Sequence, residues 1–475
     1  VSMSKKDIVS QLVDKYRDDI VKINDTVWEY AEPGMKEYKT AAFYEDFFKE
    51  KGFNVKSALA DMPTAFIAEW GEGAPVVGFL GEFDALPTLS QKAACAVKTP
   101  IVEGAYGHGC GHNSLGAGAA GAALAFRDYL RENGLKGTVR FYGCPGEEYG
   151  SGKVFMARAG LYDDLDVCLT WHPGKFNRVS TTSSLANISV MFSFRGVSAH
   201  AAGNPHLGRS ALDAVELMNV GVNYLREHII PEARVHYAYV NAGGIAPNVV
   251  HDFAKIHYFI RAPKMYQAQE IFERVKDVAE GAAKMTGTTH TVELKEAIFD
   301  YNPNRTLEKV MQEAFEEIGA PKFDQADFDL AKEFRKSFTK GDLEDVKSSL
   351  INSGMDPDLI SEDDVLHTGV LPYVPLNKAM PGSTDVGDAS YCAPTAQIGV
   401  VTEALGTPGH SWQVTAQSRS SIAYKGTITA AKVMALAAVK AAFDPEILKK
   451  AKEELMKSTG GKYVSAVPPE IKPNV

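Results

Sequence analysis

The sequence has few cysteines and lacks a long apolar run. Its five cysteines are an odd number without regular spacing, which argues against a disulfide framework and for a reducing compartment. No run approaches the roughly 20 apolar residues that a membrane span needs. The first residues, VSMSKKDIVSQLVDKYRDD, are charged and amphipathic where a signal peptide would be apolar. These absences predict a cytoplasmic protein that has no membrane partner.

A block of basic residues is also missing. The chain has 50 lysines and arginines against 60 aspartates and glutamates, a formal net charge of -10, with both signs mixed throughout. Because nucleic acids are bound through clustered positive charge, the sequence argues against a nucleic-acid partner. Neither internal repeats nor low-complexity tracts interrupt the 475 residues, and a hydrophobic content of 45% is enough for more than one packed core.

Strand and helix patterns alternate along most of the chain, which predicts the fold class α/β. Four strand patterns, TAFIAEW, VVGFLGEF, TVRFYGCP and DVCLTWH, precede the polar segment STTSSLANIS, and a fifth, TAQIGVV, follows near the end of the chain. We expect a discontinuous catalytic domain, residues 1–184 and 300–475, with a mixed, mainly parallel sheet flanked by helices. Residues 323–379 are acidic, contain scattered prolines and show only a weak hydrophobic periodicity, so we interpret them as an elaboration on this domain.

Residues 185–299 have a different texture. The strand pattern NISVMFSFRG alternates apolar and polar residues, and a helix, two strands, a second helix and the strand pattern THTVELKEAI follow it. Alternation of this kind is typical of a sheet with one buried face. The segment is therefore predicted to be an inserted α+β domain, a four-stranded sheet with two helices on one face.

Side chains that can bind metals fall at predicted strand ends or in the loops that follow, where open α/β sheets place their sites. The spacing of GHGCGHN alone leaves a disulfide, a turn and a metal site open. Imidazole, thiolate and carboxylate together suit zinc or another divalent transition ion better than magnesium or calcium. Each residue alone is more often structural or solvated, but their conjunction favours a metal site. They are His108, Cys110, His112, Glu147, Glu148, His172 and His410.

The adjacent carboxylates Glu147 and Glu148, in CPGEEYG, indicate hydrolysis. One can bind metal while the other takes a proton from a metal-bound water, and a metal with a nearby base is typical of hydrolases.

A rival hypothesis comes from GAGAAG, which runs from Gly116 to Gly121 and matches the dinucleotide-binding pattern of an oxidoreductase. That pattern needs an apolar strand directly before its first glycine, whereas the polar GHGCGHNSL stands here. Small residues that allow close helix packing are the simpler interpretation.

Three polar residues stand near strand ends of the inserted segment: His200 in GVSAHAA, Asn248 in PNVV and Arg261 in YFIRAP. An arginine can grip a carboxylate with two N–H groups, and His200 and Asn248 can donate hydrogen bonds to a developing oxyanion. Taken singly, each is more often an ordinary surface or core-edge residue.

Seven motifs occur here in the order seen in a known family: WEYAEPGMKEYKTA, GEFDALP, GHGCGHN, CPGEEYGSG, GVSAHAA, PNVV and the late PGH. On these motifs the chain resembles, over nearly its whole length, the metal-dependent amidohydrolases and carboxypeptidases that include bacterial aminoacylases, plant auxin-conjugate hydrolases and p-aminobenzoyl-glutamate hydrolase. The long form with GHGCGHN and GSTDVGDAS looks most like the B-subunit type of the last of these.

The resemblance implies two divalent ions, Zn or Mn, in each subunit. Cys110 would bridge the two ions. Glu148 and His410 would complete the site of one ion, and His112 and His172 that of the other. Two departures from the wider family, Glu82 in place of a histidine and Cys110 in place of a bridging carboxylate, leave the identity of the metal open.

The resemblance also implies the roles of residues around the ions. Glu147 would be the general base, which deprotonates a bridging water to a hydroxide and later hands the proton to the leaving amine. Asp84, in FDALP, would orient a ligand or its neighbours, and His108 would support the loop.

The inserted domain would be a lid that forms a homodimer. His200 would reach the active site of the partner subunit and help hold the tetrahedral oxyanion, while Asn248 and Arg261 would grip the substrate. The expected reaction is hydrolysis of the amide bond of a small N-acyl or N-aroyl amino acid, such as p-aminobenzoyl-glutamate, or of a dipeptide. The alternative is a catalytically inactive, metal-dependent small-molecule binding protein.

Overall fold

The protein combines a large mixed sheet, covered by helices, with a smaller antiparallel sheet that has two helices of its own. The computed structural model describes residues 3–475, so residues 1 and 2 of the predicted segment 1–184 lie outside the described residues. The two sheets confirm the predicted fold class. The limits of the two domains stay predictions.

The strands are, in chain order, β1 (Asn54–Lys56), β2 (Phe66–Glu72), β3 (Val76–Glu82), β4 (Gly137–Cys144), β5 (Val167–Gly174), β6 (Arg178–Val179), β7 (Ser183–Ser184), β8 (Ala186–Arg195), β9 (Ala199–His200), β10 (Arg234–Asn241), β11 (Val249–Val250), β12 (Phe253–Ala262), β13 (Thr289–Ile298), β14 (Ala379–Met380) and β15 (Thr395–Val401).

The α-helices are α1 (Lys5–Asp14), α2 (Arg17–Tyr30), α3 (Tyr38–Glu50), α4 (His112–Glu132), α5 (Gly152–Arg158), α6 (Ala211–Leu225), α7 (Met265–Thr286), α8 (Arg305–Ile318), α9 (Gln325–Arg335), α10 (Lys340–Asn352), α11 (Val386–Cys392), α12 (Trp412–Gln417), α13 (Ser421–Ala442) and α14 (Pro445–Thr459).

The large sheet has a parallel centre. Its strand order is β1-β2-β4-β3-β5-β15-β6, in which β4, β3, β5 and β15 are parallel and each outer strand pairs antiparallel with its inner neighbour. Both faces of the centre are buried: Phe79 packs in a core with α4 and α13, and its neighbour Leu80 packs in a second core with α5. A strand buried on both faces needs apolar side chains on both, which explains the continuous run VVGFLG.

The smaller sheet has the antiparallel order β10-β12-β8-β13, and α6 and α7 pack on one face of it. Every second residue of β12 is buried, as the alternating sequence predicts for a sheet with one covered face. Those residues are Ala254, Ile256, Tyr258, Ile260 and Ala262.

Helix α13 is long and apolar enough, by length and composition, to cross a membrane, which corrects the expectation that no stretch approaches a membrane span. Its most apolar window has a mean hydropathy of 1.3, and 83% of that window is buried inside the protein. The helix packs against α1, α4, α8 and β5. Burial in the core of this fold therefore accounts for its apolar sequence.

The glycine-rich stretch GAGAAG lies inside α4, not at a junction between a strand and a helix. A Cβ atom added to Gly116 would lie 2.3 Å from Tyr44 Oη, and one added to Gly121 would lie 2.6 Å from Ile20 Cδ1. The glycines therefore let α4 approach its neighbours closely, which contradicts the dinucleotide hypothesis and agrees with the packing interpretation.

Residues 323–379 contain α9 and α10 and then run mostly without regular structure. Their apolar side chains form two small clusters with residues of the large-sheet domain. In one cluster Val346 and Leu350 pack with Phe176 and Leu405, which follow β5 and β15. The elaboration thus covers the loops at one edge of the large sheet.

Replacing Gly118 by alanine tests the packing of α4. The new Cβ would lie 2.6 Å from Nε1 of the buried Trp171, so we expect Gly118→Ala to lower the free energy of unfolding, by about 1–3 kcal/mol. Gly281→Ala in α7 is the matched control, since its Cβ would meet no atom within 4 Å, and it should stabilise by about 0.5–1 kcal/mol. Denaturant unfolding of both variants measures this, and equal shifts would contradict the packing account.

Candidate metal centre

The parallel strands bring the acids and histidines of the candidate site to one edge of the large sheet. Glu82 is the last residue of β3, Glu147 and Glu148 follow β4, His172 lies near the end of β5, and His410 lies in the loop after β15. Because carboxyl ends of parallel strands meet at one edge, residues far apart in sequence converge there.

A tight loop adds Cys110 and His112. Gly111, immediately before α4, has φ of 74°, and a Cβ on it would lie 2.8 Å from Pro173 Cγ, so a glycine is needed there. The close approach places Cys110 Sγ 3.6 Å from His172 Nε2.

The five predicted metal ligands form two groups that share one residue. Donor atoms of Cys110, His112 and His172 all lie within 4.8 Å of one another, and so do those of Cys110, Glu148 and His410. This is the division between two ions, bridged by Cys110, that the family resemblance implies. The ligand roles themselves stay predictions.

Asp84 contacts one residue of each ligand group, His112 and Glu148. It is buried, its Oδ1 lies 2.8 Å from His112 Nδ1, and its Oδ2 accepts a hydrogen bond of 2.8 Å from the Glu148 backbone N–H. A carboxylate that accepts Nδ1–H leaves Nε2 of the same ring as a lone-pair donor, which is the form that binds metal. Asp84 is therefore placed to act as the orienting residue.

Negative charge accumulates at this centre. Burial alone would lower the pKa of His112, but the charges of Cys110, Asp84 and Glu82 outweigh it and raise that pKa well above its usual value. Burial also raises the pKa of Glu147, and the charge of Glu82 adds to the effect. Acidic neighbours contribute to both shifts, and a bound cation would compensate their negative charge.

Three buried atoms at the centre, Glu82 Oε2, His112 Nε2 and Glu148 Oε1, lack hydrogen-bond partners among the described residues. Glu82 Oε2 and His112 Nε2 make no hydrogen bond, although they lie 3.2 Å apart. An unsatisfied buried polar atom costs about 1–3 kcal/mol, so such atoms normally have an ion, water or protein partner. Sulfur, imidazole and carboxylate donors together fit divalent transition ions, and the residues present therefore fit the metals that the resemblance implies.

Residues 78–469 match the sequence model of peptidase family M20/M25/M40, which is more than half of the chain. The chain belongs to this peptidase family. Membership of this M20 family confirms the prediction that the protein is a metal-dependent hydrolase of amide or peptide bonds.

Three relatives illustrate the similarity. The B-subunit of p-aminobenzoyl-glutamate hydrolase from Escherichia coli (strain K12) is 44% identical over 457 residues, 95% of each chain. Mus musculus Xaa-Arg dipeptidase is 28% identical over 94% of this chain and 90% of the relative. The Bacillus subtilis YXEP protein, a dinuclear metal binding peptidase from the M20 family, has a TM-score of 0.55 and 17% identity over 89% of this chain and 99% of its own.

In this M20 chain, His200 and Asn248 lie together but apart from the two ligand groups. β9 and β11 pair so that His200 lies opposite Val249, and Ala201 N–H donates to the Asn248 carbonyl over 2.9 Å. The His200 side chain is exposed, and its Nδ1 accepts hydrogen bonds from two N–H groups of its own loop. Nε2 is therefore left to face solvent or a second molecule.

Arg261 lies at the joint between the two domains. Its Nη1 donates a hydrogen bond of 2.8 Å to Ser383 Oγ, its guanidinium lies 5.4 Å from the ring centre of Phe259, and its buried Nε has no partner among the described residues. Ser383 stands beside the segment that leads to α11. The contact therefore links a strand of the small sheet to the segment that precedes α11.

His108 is absent from both ligand groups of this M20 protein. It is buried, its Nε2 lies 3.0 Å from the Val27 carbonyl oxygen, and burial lowers its pKa to about 3. A neutral histidine that bonds to the backbone of α2 agrees with the predicted supporting role and not with metal binding.

Sequence reasoning missed two residues beside the candidate ligand groups. Lys153 Nζ lies 2.7 Å from Glu82 Oε1 and 2.8 Å from Asp385 Oδ1, and the lysine is fully buried. Lys153 is a single charge in an ordinary helical pattern, so nothing in the sequence marks it. Asp385 does stand in GSTDVGDAS, a motif already noted for the resemblance, and that motif was the available signal.

Asn177, also missed, ties two strand-end loops of this M20 fold to the elaboration. Its Oδ1 accepts from Val401 N–H at the end of β15, and its Nδ2 donates to the Gly369 carbonyl over 2.9 Å. Leu405 N–H donates to the Val365 carbonyl over 2.9 Å. The elaboration therefore holds the segment that leads to His410.

Proposed function

We propose that the protein is a two-ion amidohydrolase that releases an amino acid from an N-acyl or N-aroyl amino acid. p-Aminobenzoyl-glutamate is the first candidate substrate, and a dipeptide is the second. The observation that supports the reaction most strongly is the pair of ligand groups that share Cys110, with the carboxylate of Glu147 beside them. The substrate class is supported by the 44% identity to the Escherichia coli hydrolase subunit.

The chain would hold two divalent ions, Zn or Mn, through the residues of the two groups. When bound, such ions polarise a substrate carbonyl and stabilise the negative charge that develops on its oxygen. Cys110 offers one sulfur to both groups, His112 and His172 offer imidazoles to one group, and Glu148 and His410 offer a carboxylate and an imidazole to the other.

Glu147 would move the proton. Its neighbour Glu148 is one of the proposed ligands: its Oε1 lies 3.2 Å from His410 Nε2, and its backbone N–H donates to Asp84 Oδ2. Glu147 Oε2 lies 3.9 Å from His112 Nε2, and its side chain makes no hydrogen bond among the described residues. A free carboxylate whose pKa burial raises can accept a proton from the attacking water and return it to the amine nitrogen as the C–N bond breaks.

The lid residues would bind the substrate. The Arg261 guanidinium already donates to the Ser383 hydroxyl, and a substrate carboxylate can replace that hydroxyl as a bidentate acceptor. Asn248 directly precedes β11, which pairs with the strand that carries His200, so one movement of the small-sheet domain would bring both to a substrate.

Hydrolysis of p-aminobenzoyl-glutamate tests the proposal. Protein reloaded with Zn²⁺ or Mn²⁺ should release p-aminobenzoate with a kcat/KM at least about tenfold above that for Xaa-Arg dipeptides, because a site that fits the aroyl group loses contacts with other acyl groups. Chelated protein is the control and should be inactive. A preference for the dipeptides would favour the second candidate, and no hydrolysis of any N-acyl amino acid or dipeptide by protein with two ions would contradict the proposal.

Substitution of the two adjacent glutamates separates proton transfer from metal binding. Glu147→Gln should keep both ions and lower kcat by about 10²–10⁴-fold, because it removes the base but no ligand. Glu148→Gln is the matched control and should lower the metal content. Metal analysis and initial rates on the same samples measure both effects, and near-normal turnover by Glu147→Gln would show that another group is the base.

We also propose that the small sheet forms a homodimer. Among the described residues β10 pairs only with β12, so its other edge exposes unpaired backbone groups. Exposed apolar side chains surround that edge and continue onto α6. They are Tyr237, Tyr239, Val240, Val220 and Tyr224. An edge strand beside an apolar helix face fits a second copy of the same edge, and the dimer would bring His200 toward the other subunit.

Intersubunit complementation tests the role of His200. Glu147→Gln and His200→Ala should each be inactive as homodimers. If His200 acts in the partner subunit, a heterodimer of the two variants has one site with both an intact base and an intact histidine, so activity returns. Differently tagged chains, co-expressed and purified through both tags, provide that heterodimer. An inactive heterodimer would show that His200 acts within its own subunit.

We further propose that the protein works in the cytoplasm. All five cysteines are free, including the half-buried Cys110, whose thiolate would be lost to a disulfide in an oxidising compartment.

A further inference from the structure

Glu82 lies where a metal ligand would lie, although no ligand role was expected for it. It ends β3 and is 2% exposed, and its Oε2 lies 3.2 Å from His112 Nε2. Glu82, His112 and Glu147 form a third group whose donor atoms lie within 4.8 Å of one another. Oε2 and Nε2 are both buried without a hydrogen-bond partner among the described residues.

The separation of these two atoms fits a shared ion. An imidazole nitrogen and a carboxylate oxygen that bind one zinc ion each lie about 2.0–2.2 Å from it. Two such atoms 3.2 Å apart subtend an angle of roughly 100° at the ion. That value lies between the octahedral and the tetrahedral angle, so one ion can accept both atoms without movement of either side chain.

The other oxygen of Glu82 is fixed by a hydrogen bond from Lys153. Oε1 accepts a hydrogen bond of 2.7 Å from Lys153 Nζ, the same Nζ donates to Asp385 Oδ1 over 2.8 Å, and the Lys153 backbone N–H donates to Asp385 Oδ2. Carboxylates that bind metals are commonly oriented by such contacts on their second oxygen. The contacts leave Oε2 directed at His112.

The charge of this buried triad points to a cation. One lysine faces two carboxylates, and all three side chains are at most 3% exposed. A buried excess of one negative charge is unfavourable unless a positive charge compensates it. The side of the triad that faces His112 is where such a charge is missing.

We propose that Glu82 Oε2 is an additional ligand of the ion held by His112 and His172, and that Lys153 and Asp385 position it. The proposal rests on the proposed two-ion site, but not on any substrate. An added oxygen ligand would make that ion the one that accepts Mn²⁺ more readily, since manganese favours oxygen donors more than zinc does.

Metal titration of three variants tests this ligand role. Glu82→Gln should weaken binding of one ion by at least about tenfold and leave the other unchanged, as loss of a contact at the metal does. Glu82→Asp keeps the charge but withdraws the oxygen by one methylene, so it should also weaken binding of the same ion. If Glu82→Gln does not fold, Glu82→Asp alone tests the ligand role. Asp385→Asn is the charge-matched control: it removes a charge from the triad but keeps one oxygen as an acceptor for Lys153 and removes no atom that faces His112, so it should weaken that ion less than Glu82→Gln does. The probes are Zn²⁺ and Mn²⁺ in metal-buffered solutions, with bound metal counted.

Three results would overturn the proposal. Wild-type affinities in Glu82→Gln would remove the ligand role. Wild-type affinities in Glu82→Asp, or an equal loss in Asp385→Asn, would show that only charge matters. The titrations contain no substrate, whereas p-aminobenzoate release is measured separately on the wild type. If the protein binds both ions as expected but hydrolyses no amide, the proposed function is wrong and the ligand role of Glu82 still stands.

Discussion

The carboxylate of Asp84 is the contact on which both halves of the metal centre depend. One of its oxygens lies 2.8 Å from His112 Nδ1, and the other accepts the Glu148 backbone N–H over 2.8 Å. The first contact fixes the ring of His112, a candidate ligand at the start of α4, and the second fixes the loop after β4 that carries both glutamates. A single buried side chain thus sets the distance between an imidazole and a carboxylate that come from different elements.

Around that contact the fold assembles a buried negative site and encloses it from two sides. The parallel strands supply acids at their carboxyl ends, and burial makes each uncompensated charge costly, so the site favours divalent cations. The elaboration at residues 323–379 holds the loops after β5 and β15 through Asn177 and Leu405. The small-sheet domain contacts the segment before α11 through the hydrogen bond of Arg261 with Ser383. The candidate metal ligands and the residues proposed to bind substrate therefore depend on separate contacts.

Much of this arrangement could be predicted from the sequence, because periodicity marks the strands and the ligand types cluster at their ends. The α/β class, the four-stranded inserted sheet and the two groups sharing Cys110 follow from such patterns together with the family resemblance. The rest depends on burial that no local pattern reveals. Lys153 has the same sequence signature as a solvated helix residue, and the sequence marks Glu82 only as a departure from the wider family, without a role. Only the packing of α5 against β3 and α11 gives them a role.

Anomalous diffraction from crystals loaded with Zn²⁺ or Mn²⁺ would show whether two ions share the sulfur of Cys110. We expect two anomalous peaks about 3.5–4 Å apart, both in contact with Cys110 Sγ. One peak would lie beside His112 and His172, and the other beside Glu148 and His410. A single peak, or two peaks of which one does not touch Cys110, would contradict the two-ion centre.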